Sequence, residues 1–203
     1  MKHAAPDRPR RLMPAAIALT MLMSGCAALQ GPAPETYDLS APRELPRLNA
    51  STNAQILVPE TTALKALDSE RIVVTTGSRV TYYPGAQWPD RLPRVIQAKT
   101  IQTFEASRRA RAVGRPGEGL SIDYQLLTEA RAFQFDTGDG ERMARVEIYA
   151  KILNDRNGRV VAAKLFSAAV PVQADSAAAI VASLDAALNQ VLVELVQWTL
   201  SRV

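Results

Sequence analysis

Between Leu120 and Val170 apolar residues return at every second position, and this pattern restricts the architecture of the chain more than any other. Leu120, Ile122, Tyr124 and Leu126 alternate with Ser121, Asp123 and Gln125, and Val146, Ile148, Ala150 and Ile152 alternate with Arg145, Glu147 and Lys151. Successive side chains of a strand point to opposite faces, so this period makes a sheet with one buried and one wetted face. Such a sheet needs a cover. A helical period supplies one: Ile180, Leu184, Leu188, Val191, Leu195 and Trp198 form a single stripe after Asp175 or Ser176, either of which can cap the helix. Asp185, Asn189 and Glu194 fall off that stripe.

The strand phase slips after Leu126, because Phe133 and Phe135 lie on odd positions, which predicts a bulge near Leu127. Thr137–Gly140 and Asp155–Gly158 read as turns. The second is either a two-residue Asn157-Gly158 loop or a longer turn closed by a left-handed Gly158. A strand from Val160 to Val170 returns from it. Upstream, Tyr37–Leu39, Asn53–Val58, Arg71–Thr76 and Arg79–Tyr83 read as strands, the last two joined by Gly77-Ser78 in a type II′ hairpin, and Thr62–Leu67 reads as a short helical turn. Asp90 as cap and Pro93 in the first turn predict a helix that packs through Leu92, Val95, Ile96, Lys99, Thr103 and Phe104. The expected order β-β-β-α-β-β-β-α is an α+β fold, a mostly antiparallel sheet covered on one side by two helices.

The N-terminal region has a different character. Lys2, Arg8, Arg10 and Arg11 precede the apolar run Leu12–Met23, which is too short to span a bilayer and has the layout of a secretory signal. Leu22-Met23-Ser24-Gly25-Cys26 resembles the lipobox of bacterial lipoproteins, in which two small residues precede the cysteine whose thiol takes the diacylglycerol. Residues 1–25 are therefore expected to be a signal peptide, Cys26 the lipidated N-terminus of the mature chain, 26–47 a proline-rich tether and 48–203 a single domain. Tyr37–Leu39 is the expected place where the domain first catches the chain. Ala27 is not Asp, which by resemblance to Gram-negative sorting favours the outer membrane. Cys26 is the only cysteine, so no disulfide can form within the chain and the fold must rest on its core. Removing Lys2, Arg8, Arg10, Arg11 and Asp7 from 24 basic and 20 acidic residues leaves 20 and 19, so the high pI belongs largely to the signal and gives the mature chain no general attraction to nucleic acid.

Chemistry is sparse in what remains. The only histidine, His3, lies in the signal, which leaves no imidazole for a Ser-His-Asp or Cys-His system or the usual zinc site. No catalytic residue, metal ligand or cofactor is assigned. Asp136, Asp139 and Glu141 lack the full oxygen-ligand spacing of a calcium loop and read as a solvated turn; Gly114–Gly119 lacks the Lys-Ser/Thr of a phosphate loop and reads as a connector. The residues set aside for partner contact are Tyr82, Tyr83 and Trp88, which flank Pro84-Gly85, and Arg108, Arg109 and Arg111, which with Arg115 crowd the end of the first helix.

In order and spacing the motifs resemble the ABC-type transport auxiliary lipoprotein family, which includes the auxiliary lipoprotein of the paraquat-inducible system. The resemblance rests on the lipobox at Cys26, Tyr37-Asp38-Leu39, Ile56-Leu57-Val58-Pro59 before Arg71-Ile72-Val73-Val74, and Tyr82-Tyr83 and Trp88 before Pro93. It continues through Leu120–Leu126, Ala150-Lys151-Ile152-Leu153 before Asp155 and Gly158, and the terminal helix. It implies an outer-membrane lipoprotein, facing the periplasm, that works without catalysis beside an ABC permease, its ATPase and a mammalian-cell-entry (MCE) protein on lipids or other hydrophobic compounds. A stand-alone lipid-binding lipoprotein and an envelope-complex assembly factor stay open, as does a homo-oligomer.

Overall fold

The computed structural model describes Met1, His3 and residues 32–42, 45–46 and 50–203, apart from the Asp139 side chain. Cys26 and most of the signal and tether lie outside the described residues. The compact unit runs from Pro34 to Val203. Its strands are β1 (Glu35–Thr36), β2 (Thr52–Leu57), β3 (Thr62–Ala63), β4 (Arg71–Thr76), β5 (Arg79–Gln87), β6 (Ala110–Gly114), β7 (Tyr124–Asp136), β8 (Met143–Asn154) and β9 (Val160–Pro171). The helices are α1 (Leu92–Ser107) and α2 (Ala177–Leu200).

All nine strands join one open sheet organised around β7. On one edge β7 pairs antiparallel with β8 along its whole length, and β8 pairs antiparallel with β9. On the other edge three short strands follow one another, all parallel to β7: β2 at Tyr124–Gln125, β3 at Glu129–Ala130 and β4 at Gln134–Asp136. β6 extends the sheet beyond β2, and β5 and β1 extend it beyond β4. The long pairings are antiparallel, as expected. The strands β3 and β6 and the parallel pairings are additions that local periodicity did not reveal, because a two- to five-residue strand has too few positions to display a period.

Several boundaries differ from the sequence reading. The strand expected from Leu120 starts at Tyr124, because Asp123 is held on β2: its N–H donates to the Gln55 carbonyl at 3.0 Å and its Oδ2 accepts the Gln55 N–H at 3.0 Å. The bulge is at Arg131, where the register skips between Ala130 and Ala132, and it returns Phe133 and Phe135 to the buried face occupied by Leu126 and Ala130. Thr62–Ala63 is a strand, and the tight turn follows it, closed by the Leu67 N–H on the Leu64 carbonyl. Glu35–Thr36 forms the first strand in place of Tyr37–Leu39, with Tyr37 adding one more bond to the Gln87 carbonyl. The Gly77-Ser78 hairpin has φ +58° at Gly77 and no positive φ at Ser78, which is the II′ pattern. Gly158 is left-handed while Asn157 is not, which decides for the longer turn.

One face of this sheet is covered. Ala144, Val146, Ile148, Ala150 and Ile152 of β8 are buried, and the residues between them are not. α2 lies against β7, β8 and β9, and α1 packs beside α2. α2 is long and apolar enough to cross a membrane by length and composition, but eleven of its residues are buried against the sheet, which makes it the core helix. Ser176 caps it by accepting the Ala179 N–H at 3.3 Å. α1 starts differently from expectation: Arg91 is its N-cap and Asp90 accepts the Arg91 N–H at 2.6 Å.

Candidate functional site

The far end of β7 shows what its acidic turn does. Asp136 accepts the Gly138 N–H at 3.0 Å, the Thr75 hydroxyl at 3.2 Å and Arg145 Nε at 2.7 Å, so it fastens the β7–β8 turn to β4. The Gly138 N–H, followed by Arg145 and Thr75, holds its carboxyl below the usual carboxylate range. A carboxyl whose folded-state pKa is depressed contributes stability above its unfolded pKa, and that contribution is lost as the pH falls through the folded value. Asp136→Ala is therefore expected to lower stability by about 1–2 kcal/mol at pH 7, and the gap from wild type should close below about pH 4. Urea titrations at several pH values check this.

The six residues set aside for partner contact do not form one site. Trp88 is 1 % exposed, its ring edge-on to Phe133 at 5.8 Å and 86°, so it belongs to the core and offers no contact surface. Tyr82 and Tyr83 are half-buried where β5 breaks away from β4; the register jumps between Val73–Tyr82 and Arg71–Gln87, and Gly85 takes φ +69° in the gap. The Arg71 guanidinium covers the Tyr82 ring at 3.5 Å, and the Tyr83 hydroxyl faces the Asp175 carbonyl at 3.5 Å. With Val74, Phe135 and Thr137 they line an open groove of about 430 Å³. This is an aromatic wall at the end of the sheet nearest the β4–β5 hairpin.

The arginines lie at the opposite end of β7. Arg108 terminates α1 in the left-handed conformation, φ 53° and ψ 30°, a position where glycine removes a penalty of about 1–2 kcal/mol. That sharp exit turns the chain alongside β2, with the Arg109 carbonyl accepting the Thr52 N–H at 2.8 Å and Arg111 on the edge strand β6. Arg111 is thus a strand residue, Arg109 lies between α1 and β6, and the last turn of α1 holds no basic residue, so the dipole reading applies to neither. Arg108, Arg109 and Arg111 are all exposed and make no ion pair among the described residues.

A third feature escaped the sequence reading. Ser40, on the arm that follows β1, donates its N–H and its hydroxyl to the two carboxylate oxygens of Asp185 on α2, each at 2.6 Å. Asn189, one turn further along, donates Nδ2 to the Ser40 hydroxyl at 3.1 Å. Leu39 beside it is buried at 2 % exposure, and Asp38 pairs with Lys99 of α1 at 3.0 Å. Within the stretch read as tether, Glu35–Tyr37 are therefore bonded to β5, Asp38 to α1 and Ser40 to α2. The signal was present as two polar residues four apart on the most apolar helix, but their partner lies 145 residues away.

The comparisons with known proteins agree with this architecture. The crystal structure of the Xanthomonas campestris protein XCC0632 superposes with a TM-score of 0.78 at 31 % identity, covering 83 % of this chain and 95 % of that one. The Chlamydia trachomatis protein CT253 shares the fold at a TM-score of 0.55 and 6 % identity over 74 % of this chain and 98 % of its own. An uncharacterized Bradyrhizobium diazoefficiens protein is 34 % identical over 164 residues, which span 81 % of this chain and 44 % of that relative, so the chain matches less than half of its length. A model of the ABC-type transport auxiliary lipoprotein component matches residues 37–196, nearly the whole of the compact unit and including the docked arm from Tyr37. The chain belongs to the ABC-type transport auxiliary lipoprotein family.

Proposed function

We propose that the mature chain is anchored through lipid on Cys26 to the periplasmic face of the outer membrane, and that it serves there as a non-catalytic auxiliary component of an ABC transport system with an MCE protein for lipids or other hydrophobic compounds. The family match over residues 37–196 carries this reading. Its physical support is the arm: Tyr37, Asp38 and Ser40 bond the chain to β5, α1 and α2 just after the point where a lipidated tether would enter. A load on the N-terminus is thereby passed to the packed domain. The eight residues 27–34 could extend by about 25 Å at ~3.3 Å each, enough to stand the domain off the membrane and present its exposed surfaces to a periplasmic partner.

The test is affinity purification of the tagged, lipidated protein from detergent-solubilised envelopes of its own host. An MCE protein and an ABC permease are expected to co-purify in amounts comparable to the bait. Recovery of the bait in outer-membrane fractions with neither of them would overturn the transport reading.

A further inference from the structure

We infer that β6 is an acceptor edge for an acidic, extended segment of another protein, which adds to the sheet as a further strand and sets alternate carboxylates against Arg109 and Arg111. The surface does not depend on the transport reading. β6 ends the sheet on its side: it pairs with β2, and among the described residues nothing bonds its outer edge. Such an edge offers backbone N–H and C=O groups to a passing strand, and charged side chains are a usual protection against the wrong one. Here the charges have one sign. The stretch 108–114 holds three arginines and no acid, and Arg108, Arg109 and Arg111 are exposed and make no ion pair among the described residues. The nearby acids are engaged elsewhere. Asp123 accepts the Gln55 N–H at 3.0 Å and Arg156 at 3.1 Å, and Glu118 accepts the Arg115 N–H at 2.9 Å. The edge therefore repels a basic strand, gives a neutral one no charge partner and gains from an acidic one.

The spacing of the arginines selects the shape of the partner. Arg109 precedes β6 but already lies on its ladder, since its carbonyl accepts the Thr52 N–H at 2.8 Å. Arg109 and Arg111 thus occupy alternate positions of an extended chain, about 6.6 Å apart along it. Carboxylates at every second position of an added strand repeat at the same interval. An acidic helix offers no such match, because its own backbone groups are already bonded to one another. Ala110 and Ala112, between and beyond the arginines, are small enough to let a second backbone come close. The far end of the edge is closed. A Glu118 carboxylate oxygen stands where a Cβ on Gly114 would lie, and its charge repels an acidic strand. The added strand is thereby confined to the stretch from Arg109 to Val113.

The experiment uses the full lipidated chain in detergent and a short synthetic peptide of alternating glutamate and threonine, its binding followed by the fluorescence anisotropy of a dye on the peptide. Saturable binding to wild type is expected, weakened roughly tenfold or more by Arg109→Glu together with Arg111→Glu. Both positions are exposed, and circular dichroism verifies that the double variant is folded. The corresponding peptide of alternating lysine and threonine should bind the double variant and not wild type, a reversal that a misfolded domain would not produce. Strand addition has its own signature: only alternate amides of the peptide face β6. N-methylation of that set should abolish binding with every charge retained, and N-methylation of the other set should leave it intact. Wild type that does not bind the alternating peptide would overturn the proposal. Equal binding of both N-methylated peptides would do so as well, by making the arginines a general anion surface such as a lipid headgroup layer would use.

Discussion

Replacing Cys26 by serine is expected to remove the protein from the membrane fraction while leaving its domain folded. Its thiol is the only one in the chain, and the lipobox reading makes it the atom that carries the diacylglycerol. Serine keeps the size of the side chain but its hydroxyl does not replace the thiol as the acceptor of that group. The apolar run Leu12–Met23 is too short to span a bilayer on its own. Two attached acyl chains, by contrast, hold a protein firmly, since each buried CH2 contributes ~0.8 kcal/mol. Wild type should therefore incorporate radiolabelled palmitate and sediment with membranes; Cys26→Ser should incorporate none and remain in the soluble fraction after carbonate washing. The compact unit begins at Pro34, after Cys26 in the chain, so thermal unfolding of the two proteins should coincide. Membrane recovery of Cys26→Ser equal to wild type would refute the anchor.

Trp88→Ala carries the largest expected loss of stability. The ring is 1 % exposed and meets Phe133 edge-on at 5.8 Å. Removing a buried aromatic of this size forfeits its transfer free energy and leaves a cavity, a loss of about 3–5 kcal/mol. That is a large share of the 5–15 kcal/mol that typically separates folded from unfolded states. Tyr82→Ala, by comparison, removes a half-buried ring whose main contact is the Arg71 guanidinium at 3.5 Å, and about 1–2 kcal/mol is expected. Urea unfolding of the two variants separates the roles. If Trp88→Ala were as stable as wild type but failed to bind a partner, the placement of Trp88 in the core would be wrong.

The difference between these two neighbours illustrates what a linear reading can reach. Tyr82, Tyr83 and Trp88 look alike in sequence, as three aromatics around Pro84-Gly85. Which of them is buried depends on the bulge in β5, and that bulge is visible only in the register with β4. Arg108 and Arg111 make the same point. In sequence they extend a helix, but a left-handed Arg108 ends it and sends Arg111 onto an edge strand. The acidic turn was read as merely solvated, whereas Asp136 is tied to Gly138, Thr75 and Arg145, the first of them two residues away and the others supplied by β4 and β8.

What the sequence determined by itself was the set of buried faces. Val146, Ile148, Ala150 and Ile152 turn inward together because alternate side chains of a strand must share a face, and Ile180, Leu184, Leu188, Val191 and Leu195 do so because a helix repeats every 3.6 residues. These are properties of a backbone with its own side chains, and a local pattern records them fully. The tertiary structure alone decided which edges meet: β2, β3 and β4 in succession along one side of β7, Ser40 clasped by Asp185, and β9 left at the rim. Such pairings depend on segments far apart in the chain competing for the same hydrogen-bonding edges, and only the assembled core fixes which of them win.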